Sequence, residues 1–264
     1  MKNIAVIGCG WLGSEVAKKL LAKKNFVHGT SRKIERLEKL IKLGLEPHEL
    51  SYDDFSKQQE WMSDCDVLVL NIPPSDFKFL YAEKMVEISK NMKENAQILF
   101  ISSTSVYENN DGVVTENTNA TGGPRNGKWV LDAEKSLAEI HGDHLTILRM
   151  SGLVGGKRHP VNYMSGKTYD FGGNPVNLIH REDCVGLIET VINKEIKGLT
   201  INGVCEENPT REEYYTFAAK QMKIAPPLFS NSNAKDFKKV ESLVIEDMGY
   251  KMKYPSPHDF PFSA

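Results

Sequence analysis

The chain has 264 residues, 40% hydrophobic and 26% charged, with a net charge of −2 and an isoelectric point near 6.4. That is enough apolar material for a sizeable α/β core, and the balance of charge argues against nucleic acid or an anionic membrane surface as the main partner. Four scattered cysteines (Cys9, Cys65, Cys184, Cys205) form no CxxC pair, and the opening apolar run, Ile4 to Ile7, is too short for a signal sequence or a membrane span, so a soluble cytoplasmic protein is expected.

Apolar runs alternate with helical patterns from the start. NIAVIG (3–8) reads as a short buried strand. WLGSEVAKKLLAKK (11–24) follows, with Leu12, Val16, Leu20 and Leu21 on one helical face and lysines on the other. FVHGTS (26–31) is the second strand, RKIERLEKLIKLG (32–44) a helix closed by Gly44, and LEPHEL (45–50) a short third strand. CDVLVLNIPP (65–74) is an apolar strand stopped by two prolines, FLYAEKMVEISKNMK (79–93) an amphipathic helix, and AQILFISST (96–104) the fifth strand. GKWVLDAEKSLAEIHG (127–142) is a helix and LTILRM (145–150) the sixth strand.

After Met150 a Gly-rich polar stretch precedes LIHREDCVGLIETVINK (178–194), strand then helix, and GLTINGV (198–204), another strand. The remainder holds a helix at 210–222, a Pro-Pro break, and a last helix near 240–249. Such alternation predicts the α/β class: a Rossmann-type doubly wound parallel sheet with a small C-terminal substrate lobe. Residues 1–150 make the dinucleotide-binding domain, to which 176–205 returns; 151–175 and 206–264 make the lobe.

Gly8, Gly10 and Gly13 spell G-x-G-x-x-G between the first strand and the first helix. The three glycines suit a tight turn, close backbone approach to a pyrophosphate, and close helix–strand packing. The phosphates would sit on the N–H groups at the helix start, around Trp11 and Leu12. The alternative is a tight turn with no ligand. An NAD site places an acidic residue about 20 positions past the glycines, for the ribose 2′-OH. HGTSRK has none there. Ser31 and Arg32 suit a 2′-phosphate instead, making NADP the favoured cofactor with NAD as the alternative; equally, Ser31 could cap the next helix and Arg32 lie in solvent.

IGCGWLG, ISSTSVY, LRMSGLVGG and VNLIHREDCVGLIETVI together resemble the extended short-chain dehydrogenase/reductase family, the NAD(P)-dependent epimerases and dehydratases. NIPPS, GKRHP and PVNLIH resemble most its atypical YeeZ-like branch. The resemblance implies that Asn71, Ile72 and Pro73 pass beside the adenosine and that Ser102 meets the cofactor. It also implies a catalytic hydroxyl at Ser103 and a Tyr-x-x-x-Lys on the following helix. Reading LDAEKSLAE as that helix puts Lys135 at the lysine and Leu131 at the tyrosine, and no tyrosine occurs between Glu108 and Asn162. Leucine has no proton to give, so the usual relay is absent. Tyr107, Tyr163 and Tyr169 are the conceivable substitutes, with Tyr107 read as structural.

Arg158 and His159 suit an anionic group of the substrate or, alternatively, a solvated basic loop before a helix. His180 is read as a buried junction residue, and His141 and His144 as a turn without a third metal ligand. The expected function is an NADP(H)-binding oxidoreductase or epimerase-like protein of atypical mechanism, acting on a nucleotide sugar or another small polar molecule. The alternative is a non-catalytic dinucleotide-binding sensor or scaffold.

Overall fold

The computed structural model describes residues 1–49, 59–124 and 126–262. The elements in chain order are β1 (Asn3–Ile7), α1 (Gly13–Ala22), β2 (Phe26–Ser31), α2 (Ile34–Lys42), β3 (Glu46–Glu49), α3 (Glu60–Ser63), β4 (Val67–Leu70), α4 (Tyr81–Ser89) and β5 (Gln97–Ser103). There follow β6 (Gly112–Val114), α5 (Gly127–His141), β7 (Leu145–Met150), β8 (Gly152–Val154), α6 (Val161–Met164), β9 (Thr168–Tyr169) and β10 (Leu178–His180). The chain continues through α7 (Arg181–Asn193), β11 (Thr200–Gly203), α8 (Arg211–Gln221), β12 (Leu228–Phe229) and β13 (Lys238–Val240). The predicted third strand stops at Glu49; its last residue, Leu50, lies outside the described residues.

Seven strands form one parallel sheet in the order β11-β7-β5-β4-β1-β2-β3. β1, β4 and β7 are buried along their whole length or nearly so, which is why they read as continuous apolar runs. On one face α4 and α5 bring Met85, Ile88, Val130 and Leu137 onto the sheet; on the other, α1 and α7 bring Val16, Leu20, Leu187 and Val191. From β1 the order runs outward both ways, so the loops after β1 and β4 part company there and open a crevice at the strands' C-terminal ends. Open α/β sheets bind their ligands at such a switch point.

A third cluster, around Val161, Met164, Tyr214, Ala218 and Phe260, holds the small lobe together. Three two-stranded parallel pairings, β8 with β10, β9 with β12 and β6 with β13, tie distant segments to one another. The expected helix at 240–249 is not formed. The chain is β-paired to Val240 and then makes one turn, with Met248 N–H on the Val244 carbonyl at 3.0 Å and Gly249 at φ +67°. Here the Glu116 carboxylate accepts from Leu243 N–H (3.0 Å) and the Ser242 hydroxyl (2.6 Å), tying the chain to the segment after β6. Ile245, Met248 and Met252 then pack on the α1–α7 face of the sheet, so this tail runs back from the lobe to the sheet. No helix among the described residues is long and apolar enough to cross a membrane.

Candidate functional site

The glycine loop sits on the crevice, and its three glycines do different work. A Cβ on Gly8, whose φ is +97°, would lie 2.4 Å from the Asn71 carbonyl oxygen; one on Gly13 would lie 2.3 Å from the Gly8 carbonyl oxygen. Both are packed against backbone and admit no side chain. Gly10 is different: the nearest atoms to a Cβ there are the Gly8 oxygen at 3.9 Å and Arg36 Nη1 at 4.0 Å. Its side-chain space is an open cradle. Asn71 Nδ2 donates to the Gly8 carbonyl at 3.0 Å, and Gly8 N–H donates to Thr30 Oγ1 at 2.9 Å, so the loop is fixed from both flanking strands. The N–H groups of Trp11, Leu12 and Gly13 take no protein partner among the described residues, while Ser14 N–H begins the helical bonds with the Gly10 carbonyl. Unused donors at a helix start, facing an open cradle, fit a pyrophosphate.

Beyond Gly10 a hollow of about 190 Å³ is lined by Ser31, Arg32, Arg36, Ile72, Pro73 and Asp76 among others. Ser31 is buried and its hydroxyl accepts from Lys33 N–H at 3.2 Å, ahead of α2, whose cap residue is Lys33. Arg32 reaches across to Asp76 at 2.9 Å. Asp76 is the carboxylate among the described lining residues, and it belongs to the loop after β4, not to β2. Arg36, one helical turn past Arg32, brings a second guanidinium to the hollow. Sequence reasoning missed it, although the i, i+4 spacing of Arg32 and Arg36 was there to be read.

The other arm of the crevice is a cleft of about 900 Å³ between the sheet and the lobe. Ser102 and Ser103 line it from the end of β5. The Ser102 hydroxyl donates to Glu134 at 2.5 Å, and Ser103 Oγ accepts from Ser105 N–H at 3.1 Å. Glu134 is buried and held bidentately by Arg149 at 3.0 and 2.6 Å; Arg149 Nη1 also donates to the Tyr107 hydroxyl (2.8 Å), which donates to Asn202 Oδ1 (3.0 Å). Tyr107 is fully buried, its phenol pushed up chiefly by burial, and it serves this network rather than the cleft. Tyr163 lies three-quarters exposed on α6. Neither Tyr163 nor Tyr169 lines the cleft.

The structure does not bring Lys135 to the site. It lies exposed on the outer face of α5, while Leu131 is buried in the sheet-side core. The α5 positions lining the cleft are Asn126 and Val130, four residues apart. Gly127 sets this phase: a Cβ there would come within 2.1 Å of the Ser105 carbonyl, so the helix start is seated on the segment after β5 with Asn126 beside it. Asn126 stands at the helix cap yet makes no capping bond with its side chain. The spacing of a Tyr-x-x-x-Lys is thus present in the cleft, filled by an amide and an isopropyl group. Leu131, where the sequence count put the tyrosine position, does not line the cleft.

Arg158 lines the cleft as expected, its guanidinium 5.0 Å from the Trp11 ring centre; Arg181, from the start of α7, lies 4.8 Å from the same ring. Trp11 therefore joins the glycine loop to the lobe through Arg158 and to the start of α7 through Arg181 by two cation–π contacts. His159 is not at the cleft. It is 4% exposed in the lobe core, where Nδ1 accepts from Val161 N–H (3.1 Å) and Nε2 therefore donates to the Tyr214 hydroxyl (2.8 Å). Burial pulls its pKa down to about 4, so it stays neutral. His180 is likewise buried, accepting from Glu182 N–H at the start of α7. Sequence reading also missed Ser151 and Lys238 on the cleft wall; neither lies in a motif that would have marked it.

A switch-point crevice, a fixed glycine loop with one open cradle and a cleft closed by a small C-terminal lobe define a Rossmann-type α/β protein. Residues 3–98 match the family model described as NADP oxidoreductase, coenzyme F420-dependent. Over 273 aligned residues the chain is 32% identical to Protein YeeZ of Escherichia coli K12, covering 99% of both chains; it belongs to the YeeZ family. Among solved structures, a protein of Methylobacillus flagellatus assigned to the NAD-dependent epimerases/dehydratases superposes with a TM-score of 0.80 at 22% identity, over 97% of this chain and 94% of that one. The human epimerase family protein SDR39U1, solved with NADPH, gives 0.75 at 15% identity, over 97% and 96%. Both likenesses are of fold.

Proposed function

We propose that the chain binds NADP(H) in preference to NAD(H), with the pyrophosphate on the loop of Gly8, Gly10 and Gly13 and the 2′-phosphate in the hollow of Ser31, Arg32 and Arg36. The cofactor supplies hydride exchange at its nicotinamide ring when bound. What this chain adds is position: Asn71, Ile72 and Pro73 flank the adenosine side, Ser102 and Ser103 border the nicotinamide side, and Arg158 stands at the mouth. The observation carrying the reading is the open cradle at Gly10 next to a hollow with two arginines and no carboxylate from β2. The match of residues 3–98 to an NADP oxidoreductase model supports it.

The protein is then an epimerase/dehydratase-like oxidoreductase of atypical mechanism, acting on a nucleotide sugar or another small polar molecule. Ser103 offers a hydroxyl to a substrate oxygen, and the phenol that lines the same cleft, Tyr81, is buried with its proton donated to the Ile72 carbonyl at 2.7 Å. The second reading, a dinucleotide-binding sensor or scaffold without turnover, is favoured by the amide and isopropyl groups of Asn126 and Val130 on the α5 side of the cleft.

Titration of NADPH and NADH against the protein by calorimetry tests the cofactor choice. NADPH should bind roughly tenfold or more tightly, the worth of a charge-assisted phosphate contact of about 1.5–3 kcal/mol. Arg36→Ser should remove much of that preference while leaving NADH affinity unchanged. Equal affinities in the unaltered protein would sink the assignment.

A further inference from the structure

The cleft holds chemistry that a dinucleotide leaves unused. Lys238 opens β13, opposite Gly112 of β6, and lines the cleft half-buried. Its ammonium donates to the Tyr107 carbonyl oxygen at 2.5 Å, and its other two donors have no partner among the described residues. Asn177 fixes the strand on either side of it, Nδ2 on the Lys238 carbonyl and Oδ1 on Val240 N–H, both at 2.8 Å. Burial draws the Lys238 pKa below the usual lysine range, with Glu108 opposing. Among the described residues lining the cleft there is no Asp or Glu.

Ser151, on the same cleft, is 6% exposed and its buried hydroxyl has no hydrogen-bond partner among the described residues. A half-desolvated cation with spare donors lacks an anion, and a buried orphan hydroxyl lacks a polar partner. One ligand can supply both.

We propose that this wall is the subsite of a small hydroxylated anion, with carboxylate or phosphate oxygens on the Lys238 ammonium and a hydroxyl on Ser151. The cleft of about 900 Å³ has room for the nicotinamide half of a dinucleotide and an acid of monosaccharide size. The proposal rests on the cofactor reading above for its account of the rest of the cleft.

The test is calorimetric titration of the full chain with glucuronate, glucose 6-phosphate and glucose, each with and without saturating NADP⁺. At least one of the two anions should bind roughly tenfold or more tightly than glucose, the stronger of the two naming carboxylate or phosphate as the preferred group. Lys238→Gln keeps a donor for the Tyr107 carbonyl and removes only the charge; it should erase that preference and leave NADP⁺ affinity unchanged. Ser151→Ala should weaken the anion by a smaller factor. Lys239→Gln, next door but ion-paired to Glu241 in solvent, should do nothing. If Lys238→Gln loses its cooperative unfolding transition, competition by potassium chloride in the unaltered protein replaces it: anion affinity should fall with salt. Binding of neither anion at millimolar concentration, glucose binding as tightly as both, or an unchanged well-folded Lys238→Gln would each overturn the subsite. Anion binding without NADP⁺ binding would refute the cofactor reading alone, and the converse the subsite alone.

Discussion

Gly10→Ala should make the protein more stable and a worse binder at once. Gly10 is not among the residues with positive φ, and among the described residues other than its chain neighbours nothing lies nearer than 3.9 Å to an added Cβ. The folded state therefore accepts alanine without strain, and the unfolded chain loses freedom, a gain of about 0.4–1 kcal/mol. On the proposed reading, the same methyl group stands where the pyrophosphate approaches the backbone. Losing that approach should cost at least about 1.4 kcal/mol of binding, tenfold in affinity, and Gly10→Val should cost more. Gly13→Ala is the contrasting control, because its Cβ would sit 2.3 Å from the Gly8 carbonyl oxygen and must push backbone aside. It should lower stability by more than about 1 kcal/mol. Urea unfolding followed by circular dichroism gives the stabilities; calorimetry with NADPH gives the affinities. A destabilised Gly10→Ala, or one that binds cofactor as tightly as the parent, would refute the division of labour among the three glycines.

Two further outcomes are expected. Glu134→Leu strands the buried Arg149 charge and should cost about 3–5 kcal/mol in urea unfolding, whereas Glu134→Leu with Arg149→Met should recover most of it, since no charge is left buried; equal losses in the single and double variants would show that the pair is not coupled. His159 is neutral in the fold with a pKa near 4, below its unfolded value of about 6.5, so acid protonates the unfolded chain first. Its contribution is whole above pH 6.5 and drains away down to about pH 4, by at most about 1.4 kcal/mol per pH unit; His159→Gln should flatten that part of the urea-midpoint profile, and an identical slope in both proteins would exclude it as the source.

The sheet was readable because its strands are buried on both faces. ILFIS, VLVL and LTILRM could be little else between amphipathic helices. The glycine loop was readable because each glycine meets a local demand that sequence spacing exposes. The small paired strands were not, since β8, β9, β12 and β13 hold two or three residues each and owe their existence to partners up to 126 positions away. The cleft wall failed for a related reason. Motif counting placed Lys135 at the site, yet Lys128, Lys135 and Glu139 form the exposed side of α5 while Val130, Leu131, Ala133 and Leu137 are buried. Helical periodicity already turned Lys135 outward and should have outweighed the motif. Asn126, Ser151 and Lys238 meet only in three dimensions, and His159 looked like a loop residue because its partner, Tyr214, lies 55 positions on.

The return of the tail to the sheet bears on how the molecule comes into being. Residues 1–150 look like a unit that could be finished early, but Ile245, Met248 and Met252 complete the apolar face carried by α1 and α7, and Leu243 satisfies Glu116 from 127 residues downstream. During synthesis residues 1–150 emerge before these contacts can form, and the apolar strip stays uncovered until residues 243–252 follow. The closing step is long-range and correspondingly slow. A chaperone meeting the chain before that step would find the strip beside α1 and α7 still bare.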